Sequence, residues 1–151
     1  MSQKDWMKDS KKAIIYLTRE IDCRIAGAIA YQMIEKYYGM IFVNYVNNGF
    51  CNESPNDLWE YQYLLMIGVS PNDIGMRTIR SMVHDNNIVW IDNREQNIPM
   101  WTEYSMLPGD RNPQYTLTEL SWRYYHDMEI QPATIKLLSK KWTVLEMAKM
   151  L

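Results

Sequence analysis

The sequence predicts an α/β domain with a doubly wound, mainly parallel, Rossmann-like sheet and helices on both of its faces. Short apolar runs alternate along the chain with longer stretches of helical periodicity. The runs are apolar throughout rather than at every second residue, which is typical of strands buried on both faces of a parallel sheet. Alternation of strands and helices leads to crossover connections, which are right-handed in nearly all proteins.

Four apolar runs are predicted to be the strands of this sheet. Aliphatic, β-branched and aromatic residues dominate each run, and polar residues follow it. In chain order, the predicted strands are Lys12–Leu17, Met40–Val46, Tyr63–Val69 and Ile88–Asp92.

The segments between the strands have the spacing and the terminal residues of helices. Asp22–Tyr38 has apolar residues at every third or fourth position, and Gly39 predicts the end of that helix. The sequence Ser-Pro-Asn-Asp at 70–73 supplies capping groups for a helix that continues to His84. By contrast, Glu95–Pro113 is predicted to be irregular, because proline and glycine interrupt it.

The last part of the chain is predicted to be helical. Thr116 and Glu119 have the spacing of a capping box, which predicts a helix through Asp127. Pro132 predicts the start of the C-terminal helical segments, with a break near Ser139.

Length and composition limit the classes of function. With 151 residues, the chain is most simply one domain, residues 1–151, without a second, substrate-binding domain. The net charge of −2 argues against binding to long nucleic acids or membrane surfaces, and no apolar run has the length of a membrane span. Cys23 and Cys51 lie outside metal-ligand spacings, which favours a reducing, cytoplasmic setting. The 12 Met and 11 Tyr residues favour an aromatic core or the interface of a homo-oligomer.

The most informative motif ends the last predicted strand. There the sequence WIDNREQ places Asp92, Asn93 and Arg94 at the carboxyl end of the strand. Ligands of open α/β sheets usually bind at this end. A guanidinium does not ligate a cation, but it binds phosphate well, so the triplet indicates a phosphate-bearing ligand. Two alternatives stay open: Asp92 can cap the following turn, or it can pair with Arg94 and neutralise it.

Three segments resemble motifs of the DHH-family phosphoesterases. Residues 16–29 (YLTREIDCRIAGAI) have the spacing of the family's first motif and keep its second acid as Asp22. Leu17 stands in place of a metal-binding histidine, and Glu20 in place of the first aspartate. The Asp-Asn-Arg triplet stands where the family has Asp-His-His. Downstream, residues 107–125 (LPGDRNPQYTLTELSWRYY) are similar to a later family segment.

The resemblance implies a DHH-like first domain with the strand order 2-1-3-4 and a possible further strand. It also implies an origin in two-metal phosphodiester hydrolysis. Four ligand or contact positions of the family are changed here, at Leu17, Gly68, Asn93 and Arg94. Gly68 takes the place of an acid that bridges the metals. We therefore expect no catalytic residues, no bound metal and no cofactor.

The polar residues near the predicted strand ends favour recognition of a small nucleotide or cyclic nucleotide. Arginines can hold phosphate, asparagines can satisfy base or ribose groups, and Tyr45 or Trp101 can stack on a base. The same arginines can instead be solvated surface charges. The predicted ligand-binding residues are Thr18, Arg19, Asp22, Arg24, Asn44, Tyr45, Asn47, Asn48, Ser70, Asp92, Asn93 and Arg94.

These observations give one leading hypothesis and two rivals. The leading hypothesis is a non-catalytic binding protein that sequesters a small signalling nucleotide, such as a viral sponge that acts in the host cytoplasm against nucleotide-based immune signalling. The first rival is a residual phosphodiesterase, with one metal held by Glu20, Asp22 and Asp92. The second rival is a purely structural or interaction protein, in which the old site is only scaffolding.

Overall fold

The computed structural model describes residues 10–47, 57–128, 130–131, 134 and 143–151, and its centre is a sheet of five parallel strands. The strands are β1 (Lys12–Leu17), β2 (Met40–Tyr45), β3 (Tyr63–Ile67), β4 (Ile88–Asp92) and β5 (Gly109–Arg111). Their spatial order is β2-β1-β3-β4-β5, which confirms the predicted order 2-1-3-4 and adds one strand. β1 and β4 have the predicted bounds, whereas β2 and β3 end one and two residues earlier than predicted.

Helices cover both faces of the sheet, so the predicted doubly wound α/β fold is confirmed. The helices are α1 (Ile21–Ile34), α2 (Asp73–Met82), α3 (Ile98–Glu103), α4 (Leu117–His126) and α5 (Val144–Met150). α1, α4 and α5 bury Ile29, Leu120 and Met147 in one core. α2 and α3 bury Met76 and Trp101 in the other. None of the helices in the described ranges has both the length and the apolar character needed to cross a membrane.

The central strand β1 shows why an unbroken apolar run is needed here. Its alternate side chains point to opposite faces of the sheet. Ile15 and Leu17 pack into the core beneath α1, whereas Ile14 and Tyr16 pack into the core beneath α2. All four are buried, so a polar residue at any of them would lack solvent on either side.

The starts predicted for α2 and α4 are confirmed, and α1 begins one residue before the predicted Asp22. Two predicted helix ends are wrong. The Asn72 side chain accepts a backbone N–H at the start of α2, and α4 begins with the predicted capping box. α1 ends at Ile34 rather than at Tyr38, because the chain turns back to enter β2 directly afterwards. α2 ends before His84, because the imidazole accepts a hydrogen bond that opens the following 3₁₀ turn. The start predicted at Pro132 and the break predicted near Ser139 lie outside the described residues.

The prediction that Glu95–Pro113 is irregular is wrong, because α3 and β5 form there. Pro99 lies in the first turn of α3, where a missing N–H leaves no hydrogen bond unmade. β5 approaches β4 so closely that a Cβ on Gly109 would lie 2.0 Å from the carbonyl oxygen of Trp90. Only glycine, here with a φ of 130°, allows this pairing.

Candidate functional site

The carboxyl ends of the strands meet at one edge of the sheet. The register pairs Leu17 of β1 with Tyr45 of β2 and with Ile67 of β3, and Ile67 with Ile91 of β4. The segments that follow these strands enclose a cleft of about 310 Å³, which we call the strand-end cleft. The described residues that line it are Thr18, Glu20, Asn47, Gly68, Asn93, Arg94 and Leu117.

Asp92 at the end of β4 is fully buried, and protein donors occupy its carboxylate. Oδ1 accepts the backbone N–H groups of Asn93 at 3.0 Å and Arg94 at 3.4 Å. Oδ2 accepts the side-chain N–H of Asn97 at 2.6 Å and the indole N–H of Trp101 at 3.1 Å. These donors satisfy both oxygens of the buried carboxylate. Asp92 therefore caps the turn after its strand, as one of the two alternatives proposed.

The guanidinium of Arg94 connects this buried carboxylate to the cleft. Its Nε lies 3.3 Å from Oδ1 of Asp92, and the side chain is 36% exposed along the cleft. Its Nη2 is buried and has no hydrogen-bond partner among the described residues. A buried donor without a partner costs about 1–3 kcal/mol, so an acceptor oxygen that reached this nitrogen would be favoured. Arg94 therefore pairs with Asp92 and also lines the cleft, although the sequence left these two arrangements open as alternatives.

Asp22 of α1 has a structural role, because its carboxylate caps α4. Oδ2 accepts the backbone N–H of Leu117 at 2.9 Å. Oδ1 accepts the backbone N–H of Thr118 at 3.0 Å and its hydroxyl at 2.6 Å. The first N–H groups of a helix lack partners within the helix and favour a nearby negative charge. Asp22 therefore ties the two helices together and is not among the described residues that line the cleft.

Gly68, the position at which the resemblance to DHH phosphoesterases would place an acid, has no room for a side chain. Its φ is 63°, a conformation that residues with a Cβ rarely adopt. A Cβ there would lie 2.8 Å from Cδ1 of Leu117 and 3.3 Å from Sγ of Cys23. The leucine thus fills the space into which a side chain at this position would project.

The thiol of Cys23 holds together the backbone at the base of the cleft. Its Sγ accepts the Thr18 N–H at 3.2 Å and donates to the Ile67 carbonyl at 3.0 Å, which links the ends of β1 and β3. Burial raises the pKa of this thiol from 9.0 to about 11, although the Thr18 hydrogen bonds lower it. The thiol is therefore protonated at neutral pH, as its donated hydrogen bond requires.

The two predicted base-stacking residues are already engaged within the protein. The Arg19 guanidinium lies over the Tyr45 ring, 4.9 Å from the ring centroid, in a cation–π contact. Trp101 is buried, and its indole N–H is used by the carboxylate at the end of β4. Asn44 forms a side-chain hydrogen bond with Tyr16. These groups support the edge of the sheet rather than line the cleft.

The structure brings together part of the predicted ligand-binding set. Four of the predicted residues, Thr18, Asn47, Asn93 and Arg94, line the strand-end cleft. The predicted residues outside its described lining are Arg19, Asp22, Arg24, Asn44, Tyr45, Ser70 and Asp92. Asn48 lies outside the described residues.

Glu20 and Leu117 line the cleft, although neither was predicted to bind a ligand. Glu20 is exposed and occupies the N-terminal cap position of α1 without a side-chain capping bond, so its carboxylate remains available. The sequence predicted Glu20 only as a possible metal ligand. The capping box located the start of α4, but it gave no signal that Leu117 would reach the end of β3.

The strand-end cleft offers groups that recognise polar ligands. Arg94 supplies a positive charge, Glu20 a negative charge, and Asn47 and Asn93 two amides. The Asn93 Nδ2 donates to the Tyr115 carbonyl at 3.0 Å, which fixes that amide. In the part of the chain that the structure describes, no three His, Cys, Asp or Glu side chains gather closely enough to hold a metal ion. The arrangement is suited to hydrogen bonding and charge pairing.

Comparisons with protein-family models, with curated proteins and with solved structures find no match to this chain. The resemblance to DHH phosphoesterases therefore rests on the motif residues alone and stays a prediction. The fold agrees with that resemblance, but doubly wound α/β domains serve many unrelated functions. The evidence for a function of this domain therefore lies in the groups that line the cleft.

Proposed function

We propose that this domain binds a small nucleotide in the strand-end cleft and sequesters it without hydrolysing it. One observation carries the proposal: Arg94 lines the cleft and keeps a buried Nη2 that has no partner among the described residues. The guanidinium is held in place through its Nε by Asp92, and its planar donors match phosphate oxygens. Sequestration of a signalling nucleotide, as by a viral sponge, suits a binding site without turnover.

The size and polarity of the cleft support a small ligand. Its volume of about 310 Å³ lies at the lower end of the roughly 300–1,000 Å³ that small-molecule sites span, which favours a single nucleotide unit. The Glu20 carboxylate is suited to accept hydrogen bonds from ribose hydroxyls, as acids do in other Rossmann-like sites. The amides of Asn47 and Asn93 can complement a base edge.

Binding without hydrolysis is supported by the way the chain uses its acids. Two-metal phosphodiester hydrolysis needs several carboxylates and imidazoles that are free to ligate. Asp92 is held by Asn97 and Trp101, Asp22 caps α4, and Gly68 has no room for an acid. A phosphodiester in the cleft would meet few groups able to activate an attacking water.

A thermal-shift screen with product analysis tests the proposal. The purified protein is heated with mononucleotides, cyclic mononucleotides, cyclic dinucleotides and short oligonucleotides, each with Mn²⁺ and with a chelator. We expect at least one small nucleotide to raise the melting temperature and to be recovered intact under both conditions. The concentration dependence of the shift then gives the affinity.

The two rival functions predict different results in the same screen. Products that form only with Mn²⁺, and that disappear in Glu20→Gln, would show a residual phosphodiesterase and contradict the proposal. A screen in which no nucleotide changes the melting temperature would favour an interaction protein and would equally overturn it. Glu20 is the informative position, because its exposed carboxylate can be changed without removing a buried partner.

A further inference from the structure

We infer that the outer edge of β2 pairs with the same edge of a second copy of this chain, so that two five-stranded sheets join into one. β2 is the terminal strand of the sheet, and no described residue pairs with its outer side. The inference concerns the edge of the sheet and does not depend on ligand binding in the strand-end cleft.

The hydrogen bonds of β2 with β1 show which backbone groups are directed outward. The Met40 N–H donates to the Lys11 carbonyl at 3.2 Å, and the Val46 N–H donates to the Leu17 carbonyl at 2.9 Å. Successive residues of a strand direct their N–H and C=O groups to opposite sides, so the even-numbered residues from 40 to 46 bond to β1. The residues whose groups are directed to the outer edge are therefore Ile41, Val43 and Tyr45.

This outer edge is complementary to itself about a two-fold axis at Val43. Antiparallel pairing there sets Val43 opposite its own copy and Ile41 opposite Tyr45 of the second copy. The three residue pairs would each exchange two N–H···O bonds, about six bonds in all. The facing side chains are β-branched or aromatic, a combination that stabilises antiparallel pairs. A second copy thus satisfies every outward backbone group of residues 41–45.

The composition of the edge supports pairing rather than exposure to solvent. The strand sequence MIFVNY contains no charged residue and no proline, the residues that usually protect an open edge. Met40 and Phe42 are 43% and 41% exposed. β5 at the opposite edge has only three residues, and its Asp110 pairs with Arg123 at 3.6 Å. A two-fold dimer would pair the unprotected β2 edges of both copies and leave only their short, charged β5 edges open.

The mass of the protein in solution tests the inference. Sedimentation equilibrium over a wide concentration range should give twice the 18.0 kDa of one chain. Val43→Pro removes one outward N–H but no bond to β1, and proline is tolerated on the solvent side of an edge strand. We expect this variant to be a monomer, and the matched Val43→Thr, which keeps the N–H, to remain a dimer. A monomeric wild type, or a dimeric Val43→Pro, would overturn the inference.

Amide hydrogen exchange supplies a second test that needs no variant. In a dimer, the N–H groups of Ile41, Val43 and Tyr45 should exchange as slowly as those that bond to β1. In a monomer, protection should alternate along the strand, with slow exchange only at Met40, Phe42 and Asn44. Alternating protection at concentrations where a dimer is expected would contradict the inference even if Val43→Pro failed to fold.

Discussion

The indole N–H of Trp101 donates to the buried carboxylate of Asp92 across 3.1 Å. Trp101 lies on α3, so this helix supplies a partner for the acid at the end of β4. Together with Asn97 at 2.6 Å, it occupies one carboxylate oxygen, while the other receives the backbone and the guanidinium of Arg94. An acid that resembles a metal ligand in sequence is thus the anchor of a cationic side chain in the structure.

The first prediction concerns the stability contributed by that acid. Asp92→Asn places an amide NH₂ against N–H donors and leaves Arg94 beside a neutral group. We expect the free energy of unfolding to fall by roughly 3 kcal/mol, because each unmatched buried polar group costs about 1–3 kcal/mol. Urea denaturation measures the change.

A matched control for this variant is Asp110→Asn, which weakens a partly exposed ion pair with Arg123. Such a pair contributes about 0–1 kcal/mol. Equal losses in Asp92→Asn and Asp110→Asn would show that the buried carboxylate is not the anchor described above.

The second prediction concerns the closed position at Gly68. Gly68→Ala brings a Cβ within 2.8 Å of Leu117 Cδ1 and retains a φ that disfavours side chains. We expect a loss of about 1–3 kcal/mol in the free energy of unfolding. The control is Gly27→Ala in the interior of α1, where the nearest atom to the new Cβ is Leu17 Cδ1 at 3.4 Å. Because alanine favours the helix more than glycine does, we expect the free energy of unfolding to rise by about 0.5–1 kcal/mol. If Gly68→Ala were as stable as wild type, the space would be open and an acid could occupy it.

Much of the fold could be predicted from the sequence because most strands are buried on both faces. Lys12–Leu17 and Ile88–Asp92 were predicted with their observed bounds, because polar residues of a turn follow each run directly. β5 could not be predicted, because Gly-Asp-Arg has no apolar pattern and its pairing depends on how closely Gly109 can approach Trp90. The short helix α3 is also held by a tertiary contact, the bond from Trp101.

The candidate site could be predicted only in part, because distance along the chain hides its main contacts. The sequence placed Asn93 and Arg94 at a strand end, and both line the cleft. The sequence did not show that Asp22 caps a helix 95 residues away. Nothing in the residues around Leu117 indicates which distant side chain accepts its backbone N–H. The position of a residue at the end of a strand therefore does not show whether its side chain contacts a ligand or stabilises the fold.

The third prediction concerns stability at high pH. Burial raises the pKa of the Cys23 thiol in the folded protein to about 11, above its ordinary value of 9.0. As the pH rises, the unfolded chain releases this proton at a lower pH than the folded protein does. The contribution of the thiol to the free energy of unfolding is therefore fully present below about pH 9 and is lost as the pH rises through about 11.

Denaturation of wild type and Cys23→Ala at a series of pH values measures this contribution. Between pH 9 and 11, the wild type should lose stability more steeply, by at most about 1.4 kcal/mol per pH unit. Burial also raises the pKa of Tyr63 and Tyr125, but both tyrosines are present in both proteins, so the difference isolates the thiol. Parallel curves for the two proteins would contradict the assignment.

Calorimetry with the nucleotide found by the screen tests whether Arg94 binds the phosphate of that nucleotide in the strand-end cleft. Charge-assisted hydrogen bonds contribute about 1.5–3 kcal/mol, so Arg94→Ala should weaken binding roughly ten- to a hundred-fold. The control Arg77→Ala removes an arginine that is 71% exposed on α2 and should leave the affinity unchanged. An Arg94→Ala protein that folds and binds the nucleotide as tightly as wild type would contradict a phosphate-binding role of Arg94.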